Sequence, residues 1–347
     1  MAIIKQGQEM LVNLRGTKHI DLDELINKSH EIRDSFTRVK PDPKEAMTFF
    51  MDKDRNIVIP RSNDIPLCSD ISEYAFGQAC TLIGVPAGYM KKCYEKDMDD
   101  LVDYNIKRQY QRTREEGKAL DGYTALVSDD VVEAIVSDKY AFGFQTPEVL
   151  ETIRDCMPEN YIPNQAYLSK SRAHIRFIDF DNPEDINGEK MTVGFTVGTS
   201  DIGKAALSVR FFIYKFSCKN GIVRISHGGT LYKQKHIGEP FTAENIDAFK
   251  RAFQDITLLR EQALDEIMTA QSKMVSDREM QRIIDTCRSS QVIIKEEERA
   301  KIIDLAQTKY GRTMWGVING ITEIAQNHTL DTRLNYEIWA DRLLRAA

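Results

Sequence analysis

The segment 204–238 concentrates positive charge in a chain that is acidic overall. It carries seven lysine and arginine side chains and no aspartate or glutamate, whereas the whole 347-residue chain has a formal net charge of −6. The rest of the chain therefore sums to −13. Such segregation of charge indicates an anion-binding surface, because solubility alone does not require one sign of charge in one place.

A second basic set precedes this segment, at 165–180. The pattern QAYLSKSRAHIRFIDF alternates as a strand does, and we expect one continuous strand there. Alternation would place four side chains on one face, those of Lys170, Arg172, His174 and Arg176. Like charges in such a row repel one another, so the row favours an anion or acidic side chains opposite it.

Aromatic and basic residues are interleaved on a strand predicted at 205–218. Phe212 and Tyr214 would share a face with Arg210, which is typical of surfaces that stack bases and pair with phosphates. We therefore predict a groove that follows a single nucleic-acid strand, formed by Lys170, Arg172, His174, Arg176, Lys204, Arg210, Tyr214, Lys215 and Arg224. One alternative stays open for each strand. Strand 205–218 would be buried on both faces, or strand 165–180 would be a solvent-facing edge strand whose charges prevent pairing with another chain.

Residues that could catalyse a reaction or bind a metal form no recognisable motif. The sequence has no GxSxG elbow, Walker motif or HExxH, and its six cysteines include no CxxC pair. Asp179 and Asp181 are the carboxylates placed best for a divalent cation, at a predicted strand end. A metal-dependent nuclease is therefore one hypothesis. We nevertheless predict no catalytic residue, no metal ligand and no cofactor, and we favour a protein that is not an enzyme.

The composition is that of an ordinary globular protein. The chain is 42% hydrophobic and 29% charged. It has no apolar run long enough to cross a bilayer and begins with no signal-peptide pattern. Its scattered cysteines are typical of reduced thiols. We expect a cytoplasmic protein without membrane association.

The order of elements predicts an α+β fold with a central, mainly antiparallel sheet. We assign residues 1–120 to an N-terminal, mainly helical region, 121–240 to a β-rich core, and 241–347 to a C-terminal helical region that begins with one helix of about 33 residues. Within the core, Asn220-Gly221 predicts a type I′ turn between strands 205–218 and 222–227. We expect these strands to lie beside strands 168–178 and 191–197.

Several separated motifs resemble one protein family. They are LIGVPAGYM at 82–90, VSDKY at 136–140, TSDIGKAALSV at 199–209, CKNGIV at 218–223 and TMWGVINGITEI at 313–324. In this order they resemble segments of the phage- and plasmid-like proteins known as domain of unknown function 932. Lys139 and Gly320 depart from that family's pattern, which has Arg and Ala there. The resemblance implies a mobile element of a bacterial host and implies no activity.

Three functions follow as hypotheses. The first is a non-enzymatic phage- or plasmid-type protein that binds single-stranded nucleic acid, in recombination or annealing, as a homo-oligomer. A small sheet followed by a long helix is similar to phage single-strand annealing proteins, which is an analogy at the level of fold. The alternative is a protein-interaction module, for example one that counters a host defence system: its basic sheet would meet an acidic host protein and its long helix would drive assembly. The third is the metal-dependent nuclease.

Overall fold

The computed structural model describes residues 4–5, 21–40, 50–51, 57–58, 70–115, 122–143, 145–216, 220–223, 230–238, 242–286 and 294–347. These residues form an α+β fold with two main sheets, and this confirms the predicted fold class. The helices that follow the larger sheet pack on it, as the order of elements predicted. No helix in the described ranges combines the length and the apolar character that a bilayer crossing needs.

A five-stranded sheet occupies the N-terminal part. Its elements and the adjoining ones are β1 (Ile4–Lys5), α1 (Leu22–Asp34), β2 (Thr37–Val39), β3 (Phe50–Met51), β4 (Ile57–Val58), β5 (Asp70–Ser72), α2 (Glu73–Leu82), α3 (Ala87–Glu95), α4 (Asp99–Glu115), β6 (Tyr123–Ser128) and β7 (Val131–Ser137). The strand order is β1-β5-β7-β6-β2, with β3 and β4 paired separately. Asp129 and Asp130 have φ angles of 50° and 60°, as a type I′ turn between β6 and β7 requires. Residues 123–137, which we assigned to the β-rich core, therefore pair with N-terminal strands.

A seven-stranded antiparallel sheet forms the centre. The elements are α5 (Thr146–Cys156), β8 (Tyr161–Leu168), β9 (Ala173–Asp179), β10 (Glu184–Ile186), β11 (Glu189–Thr199), β12 (Leu207–Lys215), β13 (Asn220–Val223) and β14 (Thr230–Gln234). The order is β13-β12-β11-β9-β8, with β10 beside β11 and β14 beside β12. This confirms that the strands predicted around 168–218 lie in one mainly antiparallel sheet.

The single strand predicted at 165–180 is wrong, because the chain folds back in its middle. Strands β8 and β9 form a hairpin, in which Tyr167 pairs with His174 and Leu168 with Ala173. The Ser169 amide donates to the Arg172 carbonyl at 2.9 Å, and the Ser169 hydroxyl oxygen accepts from the Arg172 amide at 3.1 Å. A serine side chain that bonds to nearby backbone favours a turn over a strand. The predicted row of four same-face basic residues therefore does not exist.

The turn predicted at Asn220-Gly221 is also wrong. Tyr214 pairs with Gly221 and Lys215 pairs with Asn220, so both turn candidates lie inside β13. The chain reverses between Lys215 and Asn220, in a loop of which 217–219 are outside the described residues. The predicted antiparallel pairing of the two strands is confirmed, with a register different from the predicted one.

The C-terminal helices are α6 (Ala243–Ser272), α7 (Asp277–Thr286), α8 (Glu296–Thr308), α9 (Met314–Ala325) and α10 (Leu330–Arg345). Helix α6 has 30 residues, which confirms the long helix. Thr242 begins it, because its hydroxyl oxygen accepts from the Asn245 amide at 3.2 Å. Helices α8 and α9 pack closely at Gly320, where an added Cβ would lie 2.9 Å from the Ile302 carbonyl oxygen. That contact favours glycine over the alanine of the resembling family.

The two faces of the seven-stranded sheet differ in chemistry. One face, called here the apolar face, carries Ile175, Phe177, Phe195, Val197, Val209 and Phe211, all buried. Helix α6 covers it, and the Phe195 and Phe253 rings meet edge to face with centroids 4.9 Å apart. The opposite face, called here the polar face, carries His174, Arg176, Thr196, Gly198, Ser208 and Arg210. Strand β12 is therefore buried on both faces, in agreement with the alternative that the sequence analysis left open for 205–218.

Candidate nucleic-acid interface

Arg176 is enclosed on the polar face and paired with α10. Its side chain is 1% exposed, and its Nη2 donates to one carboxylate oxygen of Glu337. Arg333 donates from Nε to the other Glu337 oxygen at 2.9 Å. Both arginines also donate to the Gln165 side-chain oxygen, at 3.3 and 3.2 Å. The prediction that Arg176 lines an open groove is therefore wrong, since an acidic side chain of a C-terminal helix already meets it.

Arg210 occupies the matching position on β12. Thr196 of β11 pairs with Arg176 on one side and with Arg210 on the other, so the two arginines flank it. Arg210 is half-buried, and within the described residues no carboxylate forms an ion pair with it. Burial, and after it the charge of Arg172, lowers the pKa of Arg210. A guanidinium group stays protonated in proteins, so Arg210 is a partly desolvated cation that no carboxylate of the described ranges matches.

His174 lies beside these arginines and is 7% exposed. Its Nε2 atom has no hydrogen-bond partner in the part of the chain that the structure describes. Burial, and then the charges of Arg176, Arg333, Arg210 and Arg172, hold the pKa of His174 well below its usual range. The imidazole is therefore neutral at physiological pH, and its Nε2 atom is enclosed within the protein.

Gly198 leaves space between His174 and the next strand. It pairs with His174 on β9 and with Ser208 on β12. A Cβ at this position would lie 3.4 Å from the Ser208 Oγ and 3.9 Å from the His174 Nδ1. The bare backbone of Gly198 thus leaves room for about one methyl group between the imidazole and the hydroxyl.

The four arginines Arg172, Arg176, Arg210 and Arg333, with His174 between them, are called here the arginine cluster. Arg176 and Arg333 meet at Glu337, and Arg176 and Arg210 flank Thr196. Burial, and then the charges of the four arginines, lower the pKa of His174. Glu337 is the carboxylate seen to pair within the cluster, with Arg176 and Arg333. A partly buried guanidinium group that no described carboxylate meets, as at Arg210, favours binding of phosphate or carboxylate, since charge-assisted hydrogen bonds to oxyanions are among the strongest in proteins.

Lys170 and Arg172 lie in the β8–β9 turn. Lys170 pairs with the Asp129 carboxylate in the β6–β7 turn, which links the two sheets. Arg172 is half-buried and directly precedes β9. Of the basic row predicted at 165–180, the structure brings Arg172, His174 and Arg176 together and turns Lys170 toward the other sheet.

Lys215 and Tyr214 do not join the arginine cluster. Lys215 is buried on the apolar side, where Nζ pairs with Glu189 and lies 3.2 Å from the Asn319 side-chain oxygen. The Trp315 ring centroid is 5.9 Å from the same nitrogen. Tyr214 is 4% exposed, so its ring presents no face to a base. The roles predicted for Lys215 as a phosphate contact and for Tyr214 as a stacking platform are therefore wrong.

Two further candidates lie elsewhere. Lys204 is exposed in the connection between β11 and β12, and its amide donates to the Ser200 hydroxyl at 2.9 Å. Arg224 lies outside the described residues, so its predicted role stays a prediction. The extended groove predicted from nine residues thus reduces to a compact site at one end of the polar face.

The two carboxylates proposed for a nuclease, Asp179 and Asp181, lie in different environments. Asp179 is buried, and its carboxylate accepts from Arg260 at 3.3 Å and from the Asn182 side chain at 3.0 Å. Asp181 is exposed. In the described ranges no three His, Cys, Asp or Glu side chains are grouped as metal ligands. Asp179 therefore meets an arginine in the position where the nuclease hypothesis needs a cation.

Three members of the site escaped the sequence analysis: Gly198, Ser208 and Arg333. Alternation indicated that positions 194 and 196 face away from the core, and extending it by two residues would have found Gly198. No signal in the sequence indicated Arg333, because this residue is far along the chain from β9 and reaches the site only through α10.

No protein-family model, curated protein or solved structure matches this chain. The family resemblance accordingly stays a prediction.

Proposed function

We propose that this protein binds single-stranded nucleic acid through the arginine cluster, without catalysing a reaction. The observation that carries the proposal is Arg210, a partly desolvated guanidinium group that no carboxylate of the described residues neutralises. Burying part of a cation without a counter-charge costs stability. A site that accepts this cost is expected to gain its counter-charge from a ligand, and phosphate is the anion that arginine pairs with in bidentate geometry.

The proposal is narrower than a groove with stacking platforms. Arg172 and Arg210 are the half-exposed members of the arginine cluster and would contact phosphate, while Arg176 and Arg333 stand behind them. Because Tyr214 is buried, we assign stacking to no residue of the site. A role in recombination or annealing, a homo-oligomeric state, a cytoplasmic location in a bacterial host and a phage or plasmid origin remain parts of the proposal.

Fluorescence polarisation with a labelled oligothymidine tests the proposal. We expect binding by the native protein at about 50 mM salt and a loss of at least about tenfold in the Arg210→Gln variant. Arg278→Gln is the matched control, because it removes the same charge from an exposed position on α7. Native protein that binds no strand at this salt concentration, or an Arg210→Gln variant that binds as tightly as the control, would refute the proposal.

A second function, the protein-interaction module, has its own observation. Tyr89 of α3 and Leu101 and Tyr104 of α4 are exposed, with Met98 between the helices, and Tyr104 is 61% exposed. Neighbouring exposed apolar side chains indicate a surface that another protein covers. Helix α6 does not supply such a surface as we had supposed, since its apolar side packs on the sheet. Sedimentation of the native protein beside Tyr104→Ser and Leu101→Ser variants tests this candidate, which predicts a smaller assembly for the variants.

A further inference from the structure

A cavity of about 260 Å³ lies between the two sheets. Helix α2 and strand β7 line it on one side, and the segments that precede β12 and follow β14 line it on the other. It is called here the seam pocket, and its lining includes Tyr74, Gln78, Ser137, Ala206, Lys235 and Ile237. At about 30 Å³ for each water molecule, the space equals about nine waters, which is the size of one small ring compound.

Hydrogen bonds across the seam hold the walls of the pocket together. The Ala141 amide donates to the His236 carbonyl at 3.1 Å. The Tyr140 hydroxyl donates to the Ser200 carbonyl at 3.3 Å. The seam pocket is therefore formed by the fold itself, and a ligand that enters a preformed cavity avoids the cost of ordering its walls.

Three polar side chains of the seam pocket have hydrogen-bonding groups that no other described residue meets. They are the hydroxyls of Tyr74 and Ser137 and the amino group of the Gln78 amide. The Gln78 Oε1 accepts from the Ile135 amide at 2.8 Å, which fixes the side chain and leaves its amino group as a donor. Burial raises the pKa of the Tyr74 hydroxyl, which therefore keeps its proton. Donors and acceptors among apolar and aromatic side chains suit a planar ring with both kinds of group on its edge, as a nucleobase has.

The seam pocket lies at the end of the polar face. Ser208 of that face pairs with Lys233 of β14, while Ala206 directly precedes β12 and Lys235 directly follows β14. The chain from Ala206 to Arg210 spans at most about 14 Å. A single strand with a phosphate at Arg210 therefore reaches the seam pocket within a few nucleotides.

The charge of the seam pocket also suits a nucleotide. Lys235 is exposed and forms no ion pair within the described ranges, and the described lining contains no aspartate or glutamate. A phosphate beside a bound base would meet Lys235, whereas a cationic ligand would meet no counter-charge. Ile237 is 57% exposed next to this lysine, an apolar surface that a base would partly cover.

We infer that the seam pocket takes up one nucleobase of the strand that the arginine cluster contacts; this inference rests on the proposed function. The arginine cluster offers contacts to phosphate and no stacking platform, so it holds the backbone alone. The seam pocket adds an enclosed contact to a base that has swung out of the strand.

The experiment compares two end-labelled strands of about 20 nucleotides by fluorescence polarisation, one of mixed sequence and one with the same sugar-phosphate backbone but no bases. For the native protein we expect the strand with bases to bind about tenfold more tightly. Ala206→Leu fills the seam pocket without changing any charge, so it should lose this preference and keep the native affinity for the abasic strand. Arg210→Gln should weaken the binding of both strands. Ala300→Leu makes the same change at an exposed position of α8 and is the matched control.

Thermal melts establish that the variants are folded. If Ala206→Leu melts below the control, Tyr74→Phe/Ser137→Ala takes its place, because it removes two hydroxyl groups from the seam pocket and adds no atom. Either variant should abolish the preference for bases.

The remaining outcomes separate this inference from the proposed function. Equal affinity of the native protein for the two strands would overturn the base site and leave single-strand binding in place. A preference that survives in a folded pocket variant would also overturn it, because the bases would then be recognised elsewhere. Failure of both strands to bind would overturn both. If thymidine or deoxyadenosine raised the melting temperature of the native protein while no strand bound, the seam pocket would belong to a free small molecule and the strand would be excluded.

Discussion

Arg176 and Arg210 lie on either side of Thr196 and on the same face of the sheet, yet they differ in burial and in their ion pairs. Arg176 is 1% exposed and pairs with Glu337, a residue 161 positions away. Arg210 is half-buried, and no described carboxylate pairs with it. The pair shows that basic residues on one face of a sheet need not share one environment. Helix α10 neutralises Arg176, whereas no described carboxylate neutralises Arg210.

The difference assigns the two side chains different roles. A buried arginine in an ion pair holds α10 on the sheet, and its loss leaves a buried carboxylate short of a partner. A half-buried arginine without such a pair contributes repulsion with its neighbour Arg172 and is available to an anion. Exchanging either arginine for glutamine should therefore separate folding from binding.

Arg176→Gln should have the largest effect on folding. Removing one partner of a buried ion pair typically costs about 3–5 kcal/mol, because the other charge stays buried. Arg333 still pairs with Glu337, so we expect a loss near the lower end of that range. Urea unfolding of the variant beside Arg278→Gln measures it. A loss below about 1 kcal/mol would contradict the structural role given to Arg176.

His174 should make stability depend on pH by an intermediate amount. The folded protein holds this imidazole neutral, whereas the unfolded chain takes up a proton as the pH falls through the ordinary value of 6.5. The free energy of unfolding should therefore fall by about 1.4 kcal/mol for each pH unit below that value. Unfolding curves between pH 7.5 and 5, in steps of about half a unit, measure this slope.

His174→Gln is the variant that isolates the contribution of this ring. Other titrating groups are shared with the native protein and cancel in the difference between the two profiles. The native profile should fall more steeply than that of the variant as the pH is lowered. Parallel profiles would show that His174 takes up its proton in the folded state as well, which burial and the surrounding arginines should prevent.

Arg210→Gln should have the smallest effect on folding. The variant loses packing of the arginine stem but also loses a partly desolvated charge and its repulsion with Arg172. We expect a change within about 1 kcal/mol of zero, of either sign, by the same urea measurement. A loss as large as that of Arg176→Gln would mean that Arg210 is held by a structural partner, and the comparison between the two arginines would fail.

Local signals in the sequence predicted the kinds of elements well. Alternation identified β11 and β12, and apolar spacing identified the long helix α6 with its buried side. These features depend on residues near one another in the chain, which is why one sequence was enough to find them.

The turns were predicted less well. The segment 169–172 alternates as a strand does, and its turn is seen only in the structure, where the Arg172 amide donates to the Ser169 hydroxyl oxygen and β8 pairs with β9. Asn220-Gly221 is the common turn pair, but Tyr214 opposite Gly221 and Lys215 opposite Asn220 set another register. Both segments tolerate either conformation locally, so contacts with neighbouring strands decided between them.

The site was predicted in part for the same reason. Arg172, His174, Arg176 and Arg210 were found because basic residues are visible in any sequence. Which of them is neutralised depends on Glu337 and Arg333, and no pattern in β9 or β12 indicates where α10 will lie. The sequence thus identified the candidate basic residues, and the structure shows which of them are buried in ion pairs.

The salt dependence of strand binding tests the central claim most directly. Each phosphate contact on a single strand should contribute about −0.7 to the slope of log affinity against log salt concentration. The variant Arg172→Gln/Arg210→Gln, shown by its melt to be folded, should have a slope shallower by about 1.4 if each arginine makes one contact. Arg278→Gln should keep the native slope. A double variant that binds with the native slope would contradict the account, because the phosphate contacts would then lie outside the arginine cluster.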